Sequence, residues 1–468
     1  MLRFFEELPT ARGIRRRQFL QLGAAGLLAS GSAVGAETSG PPGFGKARSV
    51  VLIFASGGQS HIDMWDPKPL APTDIRGAFQ TISTAVPGVA VCEHMPRIGK
   101  VLDRATILRS MSHEDLDHGT AAYLSLTGRY HVRRSGNPPP RPIDFPTYGA
   151  VLKRTRPTDR FPYECVHVNG PALVPFYEGP GQNGGFLGRE FDPFVVGNPN
   201  QAVPVTGLDP QPGLPPVRMQ SRRSLKESFD SYLSDLERQP ATRDMSELYR
   251  QALDVLGSPQ CRRAFDLKQE PRQLRDRYGR HRSGQACLLA RRLVEAGVPL
   301  INVIWNHSNR GQDRFPDDTD MYGWDTHNDI FDALRDRLLP RFDESFSAFI
   351  EDMDQRGLLD NTLVICMGEF GRAPRVALEP NFAGATPGRK HWAASYSVVL
   401  AGAGVGRGAV VGATDRLGAE PTTKRYGPWD LAATMYSALG IDPRGHFTDS
   451  LDRSFPISIG RPVEEVYR

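Results

Sequence analysis

The sequence predicts an α/β protein with a mostly parallel central sheet and helices on both faces. Three observations support this fold class. The strand candidates are continuous apolar runs, which are typical of parallel strands buried on both faces. They alternate along the chain with segments of helical periodicity. The chain has 468 residues, of which 39% are hydrophobic and 24% charged, so it can bury one large core.

The N-terminal segment has the composition of an export signal. Residues 15–17 are all arginine, and they precede Phe19, Leu20, a mildly apolar stretch and several small residues. This order is typical of a twin-arginine signal, although an exposed basic helix followed by a core helix is an alternative. We therefore expect residues 1–36 to be removed and residues 37–468 to form a single domain. The mature protein is predicted to be periplasmic or otherwise extracytoplasmic.

Charge and cysteine spacing exclude several other classes of protein. The net charge is only +4 and the arginines are interleaved with acidic residues, so we expect no nucleic-acid-binding surface. No stretch after the signal is long and apolar enough to span a bilayer. The cysteines form no CxxC pair, which favours buried free thiols over a disulfide framework. A bridge between Cys261 and Cys287 is the alternative.

The first part of the chain supplies two strands, a helical insertion and an αβ unit. Residues 48–58 form a continuous apolar run that ends in two glycines, and we expect this run to be the first central strand. Residues 102–109 are a second strand candidate. Residues 217–285 are rich in Arg, Glu and Leu with helical spacing, which predicts a helical insertion. Residues 286–305 read as a helix followed by a strand.

The C-terminal part continues the alternation of helices and strands. Residues 329–359 place apolar side chains at helical spacing and predict one long amphipathic helix. It leads into residues 362–367, a β-branched apolar run that predicts a buried strand. Residues 396–404 are the final strand candidate. Residues 428–440 begin with Pro and end with Gly, which is typical of a helix with both ends marked.

Polar residues follow the predicted strands, at the edge of the sheet where ligands usually bind. The candidate metal ligands are His61 and Asp63 after the first strand, Asp325 and His327 in GWDTHND, Glu369 after residues 362–367, and His391 in GRKHW. Carboxylate with neutral imidazole suits Zn or Mn, whereas an oxygen-richer set suits Ca. Each has a simpler explanation alone, such as Glu369 pairing with Arg372 or Arg375. Their convergence at one edge favours a divalent-metal site.

Several motifs resemble those of one protein family. The segments SGGQSHIDMWDPKP, DHGTAAYLSLTGRY, GFLGREFDPF, GWDTH, GEFGRAP and GRKHW together resemble domain of unknown function 1501, a twin-arginine-exported branch of the alkaline phosphatase/sulfatase superfamily. The resemblance implies an alkaline phosphatase/sulfatase-like fold. It also implies a metal-dependent hydrolase that acts on an anionic sulfate or phosphate ester, either a small molecule or a carbohydrate.

The same resemblance assigns roles to individual residues. Asp325 and His327 resemble the superfamily's Asp and His ligand pair, two positions apart here where relatives have four. Glu369 falls at a ligating Asp, whereas Phe370 replaces the His that follows it and cannot ligate. His391 resembles a later basic or metal-binding position.

The nucleophile is the main departure from the superfamily pattern. The stretch DHGTAAYLSLTGRY resembles the sulfatase nucleophile motif and places His118 where sulfatases carry the cysteine that becomes formylglycine, so that cofactor is excluded. Three routes remain: His118 as covalent nucleophile, Thr120 as nucleophile, or a metal-activated water with His118 or His113 as general base. We favour the water, because it needs no covalent residue. His118 would serve equally as a metal ligand.

Four basic residues in the motif loops are candidates to bind the anionic ester by charge-assisted contacts. They are Arg129, Arg372, Arg389 and Lys390. For each residue, pairing with a neighbouring carboxylate is the alternative. The rival hypothesis for the whole protein is a non-catalytic metal- or glycan-binding pseudoenzyme, or a structural partner of the same fold. The replaced nucleophile and Phe370 favour that rival, and the retained His and carboxylate residues favour the hydrolase.

Overall fold

The computed structural model describes residues 40–174, 177–200, 258–306, 308, 311 and 322–468. The elements below belong to one compact unit, Pro41–Arg468. The predicted signal at residues 1–36 and most of the predicted insertion at residues 217–285 lie outside the described residues. Both therefore stay predictions. Within the described residues, no helix is long and apolar enough to cross a membrane.

The described strands and helices alternate along most of the chain. The strands are β1 (Ser49–Phe54), β2 (Thr81–Ser83), β3 (Ala90–Cys92), β4 (Ala105–Met111), β5 (Cys165–Val168), β6 (Phe194–Val196), β7 (Leu300–Ile304), β8 (Thr362–Met367), β9 (Gly371–Arg372), β10 (His391–Trp392), β11 (Tyr396–Ala401), β12 (Ala409–Val411), β13 (His446–Thr448) and β14 (Ser454–Pro456). The helices are α1 (Thr73–Arg76), α2 (Pro96–Val101), α3 (His118–Thr127), α4 (Tyr148–Thr155), α5 (Pro259–Phe265), α6 (Arg272–Arg277), α7 (Arg282–Glu295), α8 (Ile330–Ala333), α9 (Leu339–Gln355) and α10 (Pro428–Ala438).

Eight of these strands form the central sheet, in the order β12-β4-β11-β8-β1-β7-β5-β6. Neighbouring strands are parallel except at β11, which runs antiparallel to both β4 and β8. The prediction of a mostly parallel sheet is therefore confirmed. The carboxyl ends of the parallel strands meet at one edge. Because β11 is reversed, its amino end lies at that same edge.

Helices cover both faces of the sheet, as predicted. Every residue of β1 and β8 is buried, because both strands lie inside the sheet and pack on both faces. On one face, the core includes Leu288 of α7 and Phe342 of α9. On the other face, it includes Val151 of α4 and Tyr436 of α10. The five cysteines are buried and none of them forms a disulfide, so the preference for thiols over a Cys261–Cys287 bridge is confirmed.

The predicted helix at 329–359 is present but is not one regular α-helix. A π-helical turn, Leu334–Leu338, separates α8 from α9. Pro340 stands near the start of α9 and has no N–H to donate to the preceding turn, which accounts for the change of register there. The second predicted strand also begins later than expected, at Ala105, because Leu102–Arg104 form a 3-10 turn.

A histidine within the sheet makes stability depend on pH. His167 in β5 is 1% exposed, and burial lowers its pKa to about 4. Its unfolded pKa is about 6.5, so between about pH 6.5 and 4 the unfolded chain binds a proton that the folded chain does not. The free energy of unfolding should therefore decrease as the pH is lowered from 6.5 to 4, and His167 accounts for up to roughly 3 kcal/mol of this decrease. We expect His167→Asn to lose this contribution to the pH dependence of the unfolding free energy. Urea unfolding measured between pH 7 and 4.5 tests this.

The exposed His446 provides a matched control for this prediction. His446→Asn should leave the pH dependence of the unfolding free energy as in the wild type. The explanation is wrong if His167→Asn and the wild type lose the same free energy over this pH range.

Candidate metal centre

Three histidines and one carboxylate from three segments of the chain meet at the carboxyl edge of the sheet. The Nε2 atoms of His118, His327 and His391 each lie 3.2 Å from a carboxylate oxygen of Asp325. The Nε2 atoms of His327 and His391 are 2.9 Å apart. One donor atom each from His118, Asp325 and His391 lie within 4.8 Å of one another, so these three residues can hold a metal ion. We call the four residues the Asp325 cluster.

The topology explains why these residues meet. His118 is the first residue of α3, which follows β4. Asp325 and His327 lie in the segment that leads into α8. His391 lies in β10, which pairs with β9 and directly precedes β11. Since β11 is the reversed strand, the residues before it reach the same edge as the residues that follow β4 and β8.

Glu369 follows β8 and lies behind His118. Its carboxylate accepts the backbone N–H of Gly57 at 2.8 and 3.0 Å, and its Oε1 is 2.5 Å from His118 Nδ1. Two glycines after β1 allow this approach, because Gly57 has a φ of 112° and a Cβ on Gly58 would lie 2.6 Å from the Phe370 ring. Glu369 thus contacts His118 of the cluster, and its direct ligation of a metal ion stays a prediction.

Hydrogen bonds at Nδ1 fix the orientation of two of the imidazole rings, those of His118 and His391. His391 Nδ1 lies 2.5 Å from the carbonyl oxygen of Leu116, so Nδ1 is the protonated donor. His118 Nδ1 donates to Glu369 in the same way. The neutral form of either ring would then point an Nε2 lone pair at the carboxylate of Asp325. Two acceptors at this distance need a proton or a cation between them, so the donor set fits a bound metal ion.

The charges in the cluster shift the pKa values of its members. Burial by itself would lower the pKa of His118, but the carboxylates of Asp325 and Glu369 raise it to about 9. Burial would raise the pKa of Asp325, but the charge of His118 holds it well below its usual range. Burial lowers the pKa of His327, and lowers that of His391 to about 3. At neutral pH and without an ion, His118 is therefore charged and the other two rings are neutral.

Arg372 is the one predicted anion-binding residue that contacts Asp325 in the described residues. Its Nη2 donates to Asp325 Oδ1 at 2.8 Å and also to the carbonyl of Gly57. Its Nε donates to the carbonyl of Gly58 at 3.1 Å, and its Nη1 to that of Arg389 at 3.3 Å. Each guanidinium nitrogen thus has a partner within the protein. Arg372 positions Asp325 and offsets its charge.

Two predicted ligands are engaged elsewhere. Both carboxylate oxygens of Asp63 are bonded by Arg389, at 2.7 and 2.9 Å, and Ser60 adds a bond of 2.6 Å. Asp63 and Arg389 therefore form an internal ion pair, so the structure does not bring either residue into the cluster. His61 Nε2 lies 2.7 Å from the carbonyl oxygen of Gly418, and burial lowers the pKa of this histidine.

The other two predicted anion-binding residues also have partners of their own. The ammonium of Lys390 lies 3.2 Å from the carboxylate of Glu379, with most of its side chain exposed. Arg129 donates to the carbonyl of Pro456 at 2.5 Å and lies 4.8 Å from the centre of the Phe145 ring. The structure does not bring either side chain to the cluster.

The remaining catalytic candidates support the segments around the cluster. His113 Nε2 lies 2.7 Å from the carbonyl of Glu369, while its Nδ1 accepts the N–H of Asp115 at 3.1 Å. Burial lowers the pKa of His113 to about 4, so it stays neutral and donates to that carbonyl. Thr120 is fully buried and its hydroxyl donates to Asp115 at 2.7 Å.

Sequence reasoning missed the aromatic residues that pack on the cluster. Phe370 packs against His118 and His391, with ring centres 5.0 and 4.6 Å apart. Phe382 stacks on His327 with ring centres 3.7 Å apart, yet is itself 41% exposed. The position of Phe370 next to Glu369 was a signal for its packing role. No motif singled out Phe382, which lies in the loop between β9 and β10.

The fold and the Asp325 cluster define an α/β protein with a candidate metal centre at the carboxyl edge of its sheet. The chain belongs to the family described as Protein of unknown function (DUF1501), whose model matches residues 47–467. The comparison with curated proteins gives no match.

Solved structures with low sequence identity also resemble the chain. One is a phosphonate monoester hydrolase from Silicibacter pomeroyi, with TM-score 0.42 and 13% identity over 90% of this chain and 76% of that chain. A sulfatase from Pseudoalteromonas sp. has TM-score 0.37 and 13% identity over 92% and 72%. A protein in the alkaline phosphatase superfamily from Vibrio parahaemolyticus has TM-score 0.36 and 12% identity over 96% and 78%.

Proposed function

We propose that the protein is a metal-dependent hydrolase of sulfate or phosphate esters, with a divalent ion held by the Asp325 cluster. The observation that carries the proposal is the convergence of three imidazole Nε2 atoms on one buried carboxylate. Imidazoles with one carboxylate suit Zn or Mn better than Ca, which takes mainly oxygen ligands. A bound ion would lower the pKa of a water molecule and polarise an ester oxygen, which is the chemistry that hydrolysis needs.

The residues of the chain would divide the work between ligands and positioning groups. Asp325, His118 and His391 would hold the ion, with His327 beside them. Glu369 is a positioning residue, since its bond to His118 Nδ1 directs Nε2 toward the ion. To ligate, His118 gives up the proton that it carries at neutral pH in the absence of the ion.

The geometry favours the water route among the three that the sequence leaves open. His118 faces Asp325 through Nε2, where it serves better as a ligand than as a covalent nucleophile. The hydroxyl of Thr120 is buried and bonded to Asp115. The sequence resemblance supplies the ester class. If the predicted twin-arginine signal operates, the substrate is met outside the cytoplasm.

A second function, metal or glycan binding without turnover, is favoured by one observation. Four of the five N–H donors of Arg372 already have a protein partner, so the cation nearest Asp325 has at most one donor left for an ester anion. A protein of this kind would bind the ion in the cluster and release no sulfate or phosphate. A structural partner would not need the ion.

The test combines metal analysis with an ester screen. We expect the purified wild type to contain a stoichiometric ion and to hydrolyse an aryl sulfate or an aryl phosphate. Glu369→Gln should weaken metal affinity roughly 10- to 100-fold, because it removes the carboxylate that orients His118. Glu379→Gln, which alters the partner of Lys390 on the surface, is the matched control and should bind the ion as the wild type does.

Two results would count against the proposal in different ways. A well-folded wild type that takes up no ion, even after reloading, rules out the metal centre. A stoichiometric ion with no hydrolysis of either ester, under conditions where Glu369→Gln loses that ion, favours the binding function.

A further inference from the structure

We propose that a basic cavity on the loop over the start of α3 binds a second oxyanion group of the substrate, a sulfate, phosphate or carboxylate. This inference rests on the proposed function and concerns the same substrate. The cavity has a volume of about 280 Å³. Its lining residues are His131, Val132, Arg133, Pro138, Pro139 and Arg141.

The lining is basic and contains no acidic residue. Arg133 and Arg141 are both exposed, so their guanidinium groups are accessible to a ligand. Arg133 packs over Gly136, where a Cβ would lie 3.2 Å from Arg133 Nε. Planar guanidinium groups bind sulfate, phosphate and carboxylate through paired N–H donors. Val132 is 84% exposed and adds an apolar edge that suits the ring of a saccharide or an aryl group.

The walls of the cavity are held by an acidic residue that lies beneath the loop. Asp144 is buried, and its carboxylate accepts the backbone N–H of Arg141 at 2.8 Å. The same carboxylate lies 3.4 Å from His131 Nε2 and 3.8 Å from Arg141 Nε. Pro138 and Pro139 each fix a backbone φ angle. His131 and Arg141 are therefore held in place before a ligand binds, which lowers the entropy cost of binding.

The loop that forms the cavity also covers the first turn of α3. The carbonyl of Gly136 accepts the N–H of Thr120 at 3.1 Å, and Asn137 Oδ1 accepts the N–H of Gly119 at 2.7 Å. Gly119 and Thr120 directly follow His118, whose ring faces Asp325. A substrate with its ester at the cluster can therefore extend over this loop. The structure thus favours an ester that carries a further anionic group over a simple monoanion.

The test measures binding rather than turnover, on the purified protein with the ion that it carries, so that it does not depend on hydrolysis. Isothermal titration calorimetry with short-chain dextran sulfate should show saturable binding, with neutral dextran as the reference. We expect Arg133→Ala/Arg141→Ala to weaken it roughly tenfold or more, because two charge-assisted contacts are lost. A parallel titration with inorganic sulfate shows whether a single oxyanion is enough.

Arg134→Ala is the matched control, because Arg134 belongs to the same loop but stacks 3.4 Å above the Tyr130 ring and does not line the cavity. Its affinity for dextran sulfate should stay close to that of the wild type. No binding by the wild type, or equal weakening in Arg134→Ala, overturns the inference. Binding that depends on Arg133 and Arg141 in a protein that hydrolyses no ester supports the cavity and counts against the proposed function alone.

Discussion

Asp325→Asn should lower the ion content of the purified protein from about one per chain to almost none. Asp325 is the carboxylate nearest all three imidazole Nε2 atoms, each at 3.2 Å. An amide is neutral and a poor ligand for a divalent ion beside imidazoles, so the substitution removes the charge that holds the site together. Elemental analysis after dialysis, with and without reloading, measures the change.

Two further variants separate loss of the ligand from loss of the fold. Asp325→Asn leaves the buried guanidinium of Arg372 without its carboxylate, which can itself destabilise the protein. His391→Asn removes a ligand and keeps that ion pair, so it should also lose the ion while it melts close to the temperature of the metal-free wild type. Glu114→Gln changes an exposed acidic residue nearby and should keep the ion. Full occupancy in both Asp325→Asn and His391→Asn would contradict the assignment.

Arg389→Met should lower the free energy of unfolding by about 3–5 kcal/mol, the usual cost of breaking a buried ion pair. Arg389 and Asp63 are both buried and share two hydrogen bonds. Arg389 also donates to the carbonyls of Ile75, Ala373 and Pro374. Methionine fills a similar volume but leaves the Asp63 carboxylate uncompensated in the core. Urea unfolding of the purified variant measures the loss.

The exposed Arg375 provides the control for this ion pair. Its guanidinium lies 3.6 Å from Asp74 at the surface, so Arg375→Met should cost no more than about 1 kcal/mol. The double variant Asp63→Asn/Arg389→Met should recover part of the stability lost in Arg389→Met, since it removes the unpaired charge. If Arg389→Met and Arg375→Met lower the free energy of unfolding equally, the buried ion pair contributes no more to stability than the surface pair.

Local sequence patterns predicted the strands and the edge of the sheet where the cluster lies. The runs at β1 and β8 are apolar on both faces, so their burial follows from composition. The rule that ligands bind at the carboxyl ends of parallel strands then placed Asp325, His327 and His391 together. This part of the site depends on chain order and strand type, which the sequence carries.

The individual roles depended on which strands are neighbours, and the sequence does not carry that information. Glu369 reaches Gly57 and His118 because β8 lies beside β1. The partnership of Asp63 with Arg389 joins residues far apart in the chain, so no local pattern indicates it. Likewise, the reversed direction of β11 cannot be read from an apolar run alone.

The late position of β11 in the chain also affects when the metal centre can form during synthesis. His391 lies shortly before β11, whose pairing with β4 and β8 holds that part of the chain at the edge of the sheet. A nascent chain that ends before this point offers His118, Asp325 and His327 but cannot complete the centre. The ion would therefore be captured late, by a nearly finished molecule, and would then stabilise the folded state by mass action. Truncated chains would compete poorly for scarce metal, and complete ones would retain it.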